Sequence, residues 1–122
     1  MGVPVSVVMT SYKKSAYLEL TLASWCQQDH DNLQVVVCDD GTPGGLGHVV
    51  APSRSRVDIT LLEQDNKGRA AARNTALRAA SGDVILFSDD DRMVPPDVSI
   101  QVALGSGPAR DSTVHVASRR VV

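Results

Sequence analysis

Asp89, Asp90 and Asp91 follow the apolar run Val84–Phe87 with only Ser88 between them, and Arg92 closes the stretch. Three adjacent carboxylates at the end of a buried strand repel one another, and crowding them costs free energy. A hard divalent cation offsets that cost, because Mg²⁺ and Mn²⁺ favour oxygen ligands. Ions of the Mg²⁺ type borrow one or two carboxylates and complete their shell from substrate phosphates, so the triplet points to a metal-bridged diphosphate. Taken alone, the triplet reads as well as an acidic turn after a strand, with Asp91 or a neighbour capping a later helix.

Other chemistry-bearing residues also stand at the ends of apolar runs. Thr10, Ser11 and Tyr12 close the run that begins at Val3, and Asp39-Asp40-Gly41 closes Leu33–Cys38. A carboxylate at Asp40 is placed to accept a hydrogen bond from a base N–H, and Tyr12 offers a flat face on which that base stacks. The competing reading is that Asp39 and Asp40 only shape the turn into Gly41. It is preferred for Asp39, because one of two adjacent carboxylates usually faces away from a ligand. Lys67, Arg69 and Arg73 open an Ala-rich segment, with Arg69 and Arg73 four residues apart on one helical face. A helix amino terminus attracts anions, which makes this a diphosphate contact or else a solvated helix face. His30, His48 and His115 lack ligand spacing, and no serine lies in a nucleophile motif.

The elements that must position these residues follow from periodicity. Val3–Thr10, Leu33–Cys38, Val57–Leu62 and Val84–Phe87 read as strands, and Val114–Ala117 as a last one. Helices are expected from Ser15 to about Gln28, over Gly68–Ala80 and from Pro95 to about Leu104, with a short one near Leu46–Ala51. Strands that are continuous apolar runs alternating with helices specify an α/β fold. The expected architecture is a mostly parallel, Rossmann-like sheet with helices on both faces, in three α/β/α layers. In such sheets ligands bind beyond the carboxyl ends of the strands, where the residues above cluster.

Composition agrees with one domain over residues 1–122: 43% hydrophobic and 21% charged residues is ordinary for a globular chain. A net charge of −2 gives no electrostatic case for a nucleic-acid partner. The apolar runs are too short for a transmembrane segment. Cys26 and Cys38 lack metal or disulfide-framework spacing and read as reduced core thiols, which favours a cytoplasmic setting.

Taken together, Val5–Tyr12, Val35–Gly41, Asn66–Asn74 and Ser81–Asp91, with Pro96-Asp97 following, resemble the family-2 glycosyltransferases. The nucleotide-sugar half of that family has the fold called GT-A, and the four stretches agree with it in order and spacing. The resemblance implies a nucleotide-diphospho-sugar donor, a UDP-sugar by preference, and a divalent cofactor, Mn²⁺ or Mg²⁺. Thr10 and Asp40 would then hold the uracil, with Ser11 beside them and Tyr12 stacked on the base, while Lys14 and Arg69 lie near the diphosphate. Asp89-Asp90-Asp91 corresponds to the family's Asp-x-Asp motif. Asp91 would be the direct metal ligand, with Asp89 on the metal or its waters and Asp89 or Asp90 at the ribose. Transfer with inversion at the anomeric carbon is implied as well.

The departure is one of extent. Relatives continue into an acceptor-binding half that carries the catalytic base, whereas Asp111 is the one carboxylate after Asp97 here. The expectation is therefore either a donor-binding fragment or a shortened relative, incomplete for transfer by itself, in which residues 98–122 could cover the cut sheet edge by pairing with a second copy as a homodimer. A non-catalytic nucleotide-diphosphate binding module fits the same residues. A receiver-type phosphoacceptor domain ranks lower, since it needs an acidic pair where Thr10-Ser11-Tyr12 stand.

Overall fold

The structure, a computed structural model, describes residues 3–13, 15–91, 93–94, 96 and 114–118, with Ser15 and 114–118 described by their backbone alone. The strands are β1 (Val5–Ser11), β2 (Leu33–Asp39), β3 (Asp58–Glu63), β4 (Val84–Ser88) and β5 (Val114–Ser118). Helices α1 (Ser15–Trp25), α2 (Gly47–Val50) and α3 (Arg69–Ala79) lie between them, and a 3₁₀ turn over Ala51–Ser53 extends α2. The expected helix Pro95–Leu104 and the basic residues Arg119 and Arg120 lie outside the described residues.

The strands form one sheet in the order β3-β2-β1-β4-β5. β1 pairs in parallel with both β2 and β4, β2 pairs in parallel with β3, and β5 runs antiparallel to β4. Register aligns Ser11 with Asp39 and Asp39 with Glu63, so the carboxyl ends of β1, β2 and β3 finish level. The chain winds outward from β1 through β2 to β3, then crosses back to place β4 on the other side of β1. That reversal opens a crevice between the ends of β1 and β4.

Side-chain alternation explains why helices cover both faces. Val5, Val7 and Met9 point with Val35 and Val37 to one face, where Leu18, Leu22 and Trp25 of α1 and Leu46, Val49 and Val50 around α2 cover them. Val8, Val36, Cys38 and Ile85 point to the other face, against Ala72, Ala76 and Ala80. These alanines let α3 lie close on the sheet, and the spacing of Ala72 and Ala76 makes one small-residue stripe of them.

Two local features differ from the expectation. α1 ends at Trp25, not at Gln28, because its last amides tighten to three-residue bonds: Gln27 N–H to the Ser24 carbonyl (3.2 Å) and Gln28 N–H to that of Trp25 (3.3 Å). Gly82 does more than stop α3. A Cβ there would sit 2.6 Å from the Ser6 nitrogen, so β1 and the β4 approach can meet this closely only at glycine. The Gly82 N–H donates to Ser6 Oγ (2.8 Å), and Ser6 Oγ donates to Gln34 Oε1 (2.7 Å). His30 is structural, its ring bonded to the Val3 carbonyl at 2.7 Å.

Candidate functional site

A cavity of about 550 Å³ occupies the crevice at the carboxyl edge. Thr10, Ser11 and Tyr12 line it from β1 and its following loop, Asp40 from the end of β2, and Asn66, Gly68, Arg69 and Arg73 from the start of α3. Ser88, Asp89, Asp90 and Asp91 line it from β4. Among the residues singled out from sequence, Lys14, Arg92, Asp97 and Asp111 lie outside the described residues, and Lys67, read there with Arg69 and Arg73 as a diphosphate contact, is described but does not line the cavity.

Burial separates the members of the acidic triplet, which follows the end of β4. Asp89 and Asp91 are exposed, whereas Asp90 is buried. Ser11 Oγ donates to Asp90 Oδ2 at 2.8 Å, and Thr21 Oγ1 of α1 donates to the Asp90 carbonyl at 3.0 Å. One turn further along α1, Ser24 Oγ accepts from the Val94 N–H (3.1 Å). The loop after β4 is thus tied down by side chains from β1 and α1. Ser11, expected beside the nucleotide, spends its hydroxyl proton on Asp90. Among the described residues no three His, Cys, Asp or Glu side chains converge into a ready-made metal cluster. Two exposed carboxylates at the mouth of a cavity nonetheless fit an ion that takes one or two carboxylates and draws its other ligands from phosphates.

Asp39 and Asp40 part ways as adjacent residues at a strand end do. Asp39 Oδ1 accepts from the Thr42 N–H (2.9 Å) and shapes the turn. Asp40 turns toward the start of α3: its Oδ1 accepts from Gln64 Nε2 (2.9 Å) and the Lys67 N–H (2.9 Å), and its Oδ2 from the Gly68 N–H (3.0 Å). Gly68 precedes α3 with φ 97° and caps it without a side chain, and Asp40, from the end of β2, takes the two amides that lead into the helix. The Gln64 hydrogen bond, joined by those from Lys67 and Gly68 and opposed by burial, holds the Asp40 carboxyl below its ordinary 3.8. With its pKa depressed in the fold, this group stabilises the protein above that range and loses the contribution as pH falls through the folded value.

The loop after β1 carries Lys13 at φ 60°, a left-handed conformation uncommon outside glycine. It brings the Lys13 N–H to Thr42 Oγ1 (3.0 Å), joining the loops after β1 and β2, and sets the Lys13 ammonium 5.1 Å from the Tyr12 ring centre. Arg69 and Arg73 both face the cavity, and the Arg73 guanidinium lies 5.1 Å from the Phe87 ring centre. Gln64 and Asn66 were not singled out from sequence. Both follow β3, and the rule that carboxyl ends carry ligand sites, applied to this strand as to the others, points to them.

A parallel sheet wound in both directions from β1, with its cavity at the reversal, places the chain among the doubly wound α/β proteins. Comparison with known proteins narrows this. The family profile described as Glycosyl transferase family 2 matches residues 6–119, and the chain belongs to that family. It is 34% identical over 102 residues to the UDP-Glc:alpha-D-GlcNAc-diphosphoundecaprenol beta-1,3-glucosyltransferase WfgD of Escherichia coli, covering 82% of this chain and 40% of that protein. It is 28% identical over 112 residues to the putative glycosyltransferase EpsH of Bacillus subtilis, covering 90% of this chain and 32% of EpsH. Among solved structures, the mannosyltransferase PcManGT of Pyrobaculum calidifontis, in complex with GDP-Man and Mn²⁺, superposes with a TM-score of 0.76 at 29% identity. That match covers 88% of this chain and 34% of PcManGT. A piece of S. aureus TarS in complex with UDP-GlcNAc superposes with a TM-score of 0.75 at 26% identity, over 84% of this chain and 30% of that one. The chain thus spans 32% to 40% of the length of these two curated relatives. The GT-A assignment drawn from the four sequence stretches agrees with these neighbours. Among the described residues no helix is long and apolar enough to cross a membrane.

Proposed function

We propose that the crevice binds the nucleotide diphosphate of a nucleotide-sugar, by preference a UDP-sugar, together with Mn²⁺ or Mg²⁺, as the donor site of an inverting glycosyltransferase. The observation that carries this reading is the joint placement of Asp40, Arg69, Arg73 and the exposed pair Asp89 and Asp91 around one cavity. That set offers a hydrogen-bond acceptor for a base, cationic groups for phosphates, and carboxylates for a hard cation. PcManGT carries GDP-Man with Mn²⁺ and TarS carries UDP-GlcNAc on the same fold, which supports the class of ligand.

The state of Asp40 favours a uracil. An ionised carboxylate offers about four acceptor sites. Gln64 and Lys67 occupy Oδ1 and Gly68 takes one site on Oδ2, which leaves room on Oδ2 for one further donor. Uracil presents a single imide N–H, whereas guanine presents adjacent donors that suit both oxygens of a carboxylate. Thr10 of β1 and Tyr12 just beyond it line the same cavity, with the Tyr12 ring as the stacking face. Arg69 and Arg73 meet the diphosphate at the amino end of α3. Asp91 is the direct metal ligand and Asp89 its partner, while Asp90 braces the loop through Ser11. A cation held there would neutralise charge building on the departing nucleotide diphosphate.

Calorimetric titration of UDP, with Mn²⁺ or with a chelator, tests the reading. Affinity is expected to rise with metal, and Asp91→Asn to remove most of that gain without unfolding the protein. Asp40→Ala is expected to weaken UDP binding by about tenfold or more, and Asp39→Ala to weaken it much less. Equal affinity with metal and with chelator would overturn the metal assignment, and a reversed order of the two aspartates the base assignment.

A further inference from the structure

Gln64 sits one residue beyond β3 and is not among the residues that line the cavity, yet both ends of its side chain are engaged. Nε2 donates to Asp40 Oδ1 at 2.9 Å, and Oε1 accepts from Thr75 Oγ1 at 2.8 Å. The orientation of the amide follows from its partners. A carboxylate only accepts, so the NH₂ must face Asp40 and the carbonyl oxygen faces α3. Thr75 is held in turn, with its hydroxyl also within 3.0 Å of the Ala71 carbonyl one helical turn earlier, and it accepts from Arg78 Nη2 at 3.3 Å. A chain of hydrogen bonds therefore runs from the middle of α3 through Gln64 to the carboxylate facing the cavity.

We propose that Gln64, braced by Thr75, is the positioning residue of the donor site, holding Asp40 so that Oδ2 is presented to the base. The inference rests on the nucleotide-sugar reading given above. The backbone donors Lys67 and Gly68 belong to the loop that a ligand borders, whereas Gln64 connects Asp40 to a helix packed on the sheet. Without it, Oδ1 loses the partner anchored in the rigid part of the fold, and the carboxylate turns with the loop. The Gln64 bond is also the largest cause that lowers the Asp40 pKa below its ordinary value.

The test uses UDP-glucose with Mg²⁺, because each phosphate of this probe, linked by one ester and one anhydride bond, keeps a single strongly acidic oxygen and does not titrate near neutrality. Gln64→Leu is expected to weaken binding about five- to twentyfold. Thr75→Val, which keeps the shape of α3 and removes the brace, should weaken it in the same direction by a smaller factor. Gln64→Glu supplies the readout that a merely structural role would not move. Ionised, the introduced carboxylate faces Asp40 with like charge and cannot donate. Protonated, it donates from its O–H and still accepts from Thr75, and the neighbouring charge raises its pKa. The affinity of this variant should therefore be low near about pH 8 and recover toward about pH 5, while the wild-type affinity stays level across that range. Circular dichroism well below the Tm verifies that each variant is folded at both pH values. A level profile for Gln64→Glu, or wild-type affinity in both Gln64→Leu and Thr75→Val, would overturn the proposal and leave the donor site standing. Failure of the wild-type chain to bind either UDP-glucose or GDP-mannose would instead overturn the donor site, and the role of Gln64 with it.

Discussion

Replacing Ser11 by alanine tests whether the middle carboxylate of the acidic triplet braces the loop after β4. Ser11 and Asp90 are 3% and 8% exposed, and the bond between Oγ and Oδ2 is 2.8 Å long. A hydrogen bond to a charged acceptor contributes about 1.5–3 kcal/mol. Burial on both sides argues for the upper part of that range, since water does not readily replace the lost donor. For a domain of this size that loss lowers the Tm by ~5–15 °C. The effect on ligand binding has a separate origin: Asp90 already borders the cavity, and without the serine hydroxyl its negative charge is less compensated where the diphosphate approaches. Differential scanning calorimetry without ligand reads the first effect, and UDP titration at a temperature where both proteins are folded reads the second. The comparison is Asp91→Asn, whose side chain is exposed and which should lower the Tm less than Ser11→Ala does while removing most of the gain from metal. A Ser11→Ala protein with the Tm of the wild type would show that the bond contributes nothing and would refute the assignment of Asp90 as the brace.

Gly82→Ala should be destabilising by about 1–3 kcal/mol or more, because the new Cβ would stand 2.6 Å from the Ser6 nitrogen and 2.9 Å from the Val5 carbonyl carbon, so a backbone has to move. An unchanged urea midpoint would contradict the close approach. The two cysteines should differ in reactivity. Burial, together with the charges of Asp40 and Asp39, pushes the Cys38 thiol up to about 11, whereas Cys26 is half-buried just beyond α1. A thiol reagent at about pH 8 should label Cys26 first and Cys38 only as the protein unfolds; equal rates in the folded protein would count against the burial of β2.

The strands were legible because each is a continuous run of apolar, β-branched residues, and burial on both faces leaves no other use for such a run. Val35, Val36, Val37 and Cys38 show this most simply, with odd positions against α1 and α2 and even positions against α3. The place of the site was legible for a related reason. Polar and acidic residues directly after a buried strand stand at its carboxyl end whatever the strand order, and Tyr12, Asp40 and Asp89–Asp91 do so in the structure. The end of α1 was not legible, since helical spacing continues past Trp25 and only the tightening of the last turn stops it.

That Asp39 shapes the turn while Asp40 faces the cavity was legible in the sequence, but the partners that hold Asp40 and Asp90 were decided by tertiary structure. Beyond the end of a strand the alternation of side chains is no longer enforced by neighbours, and the partner that captures a carboxylate comes from another part of the chain. Asp90 is held by Ser11, 79 residues away in sequence, and Asp40 by Gln64, Lys67 and Gly68, between 24 and 28 residues away. No local pattern encodes such pairings, because they depend on β1 lying between β2 and β4 and on α3 starting beside the end of β2. Residue types thus determined that this edge would be acidic and polar, with cations at the start of α3. The winding of the sheet determined that Asp89 and Asp91 stand exposed at the crevice while Asp90, which also borders it, is buried against Ser11, and that Asp40 is steered by a glutamine from the end of the next strand.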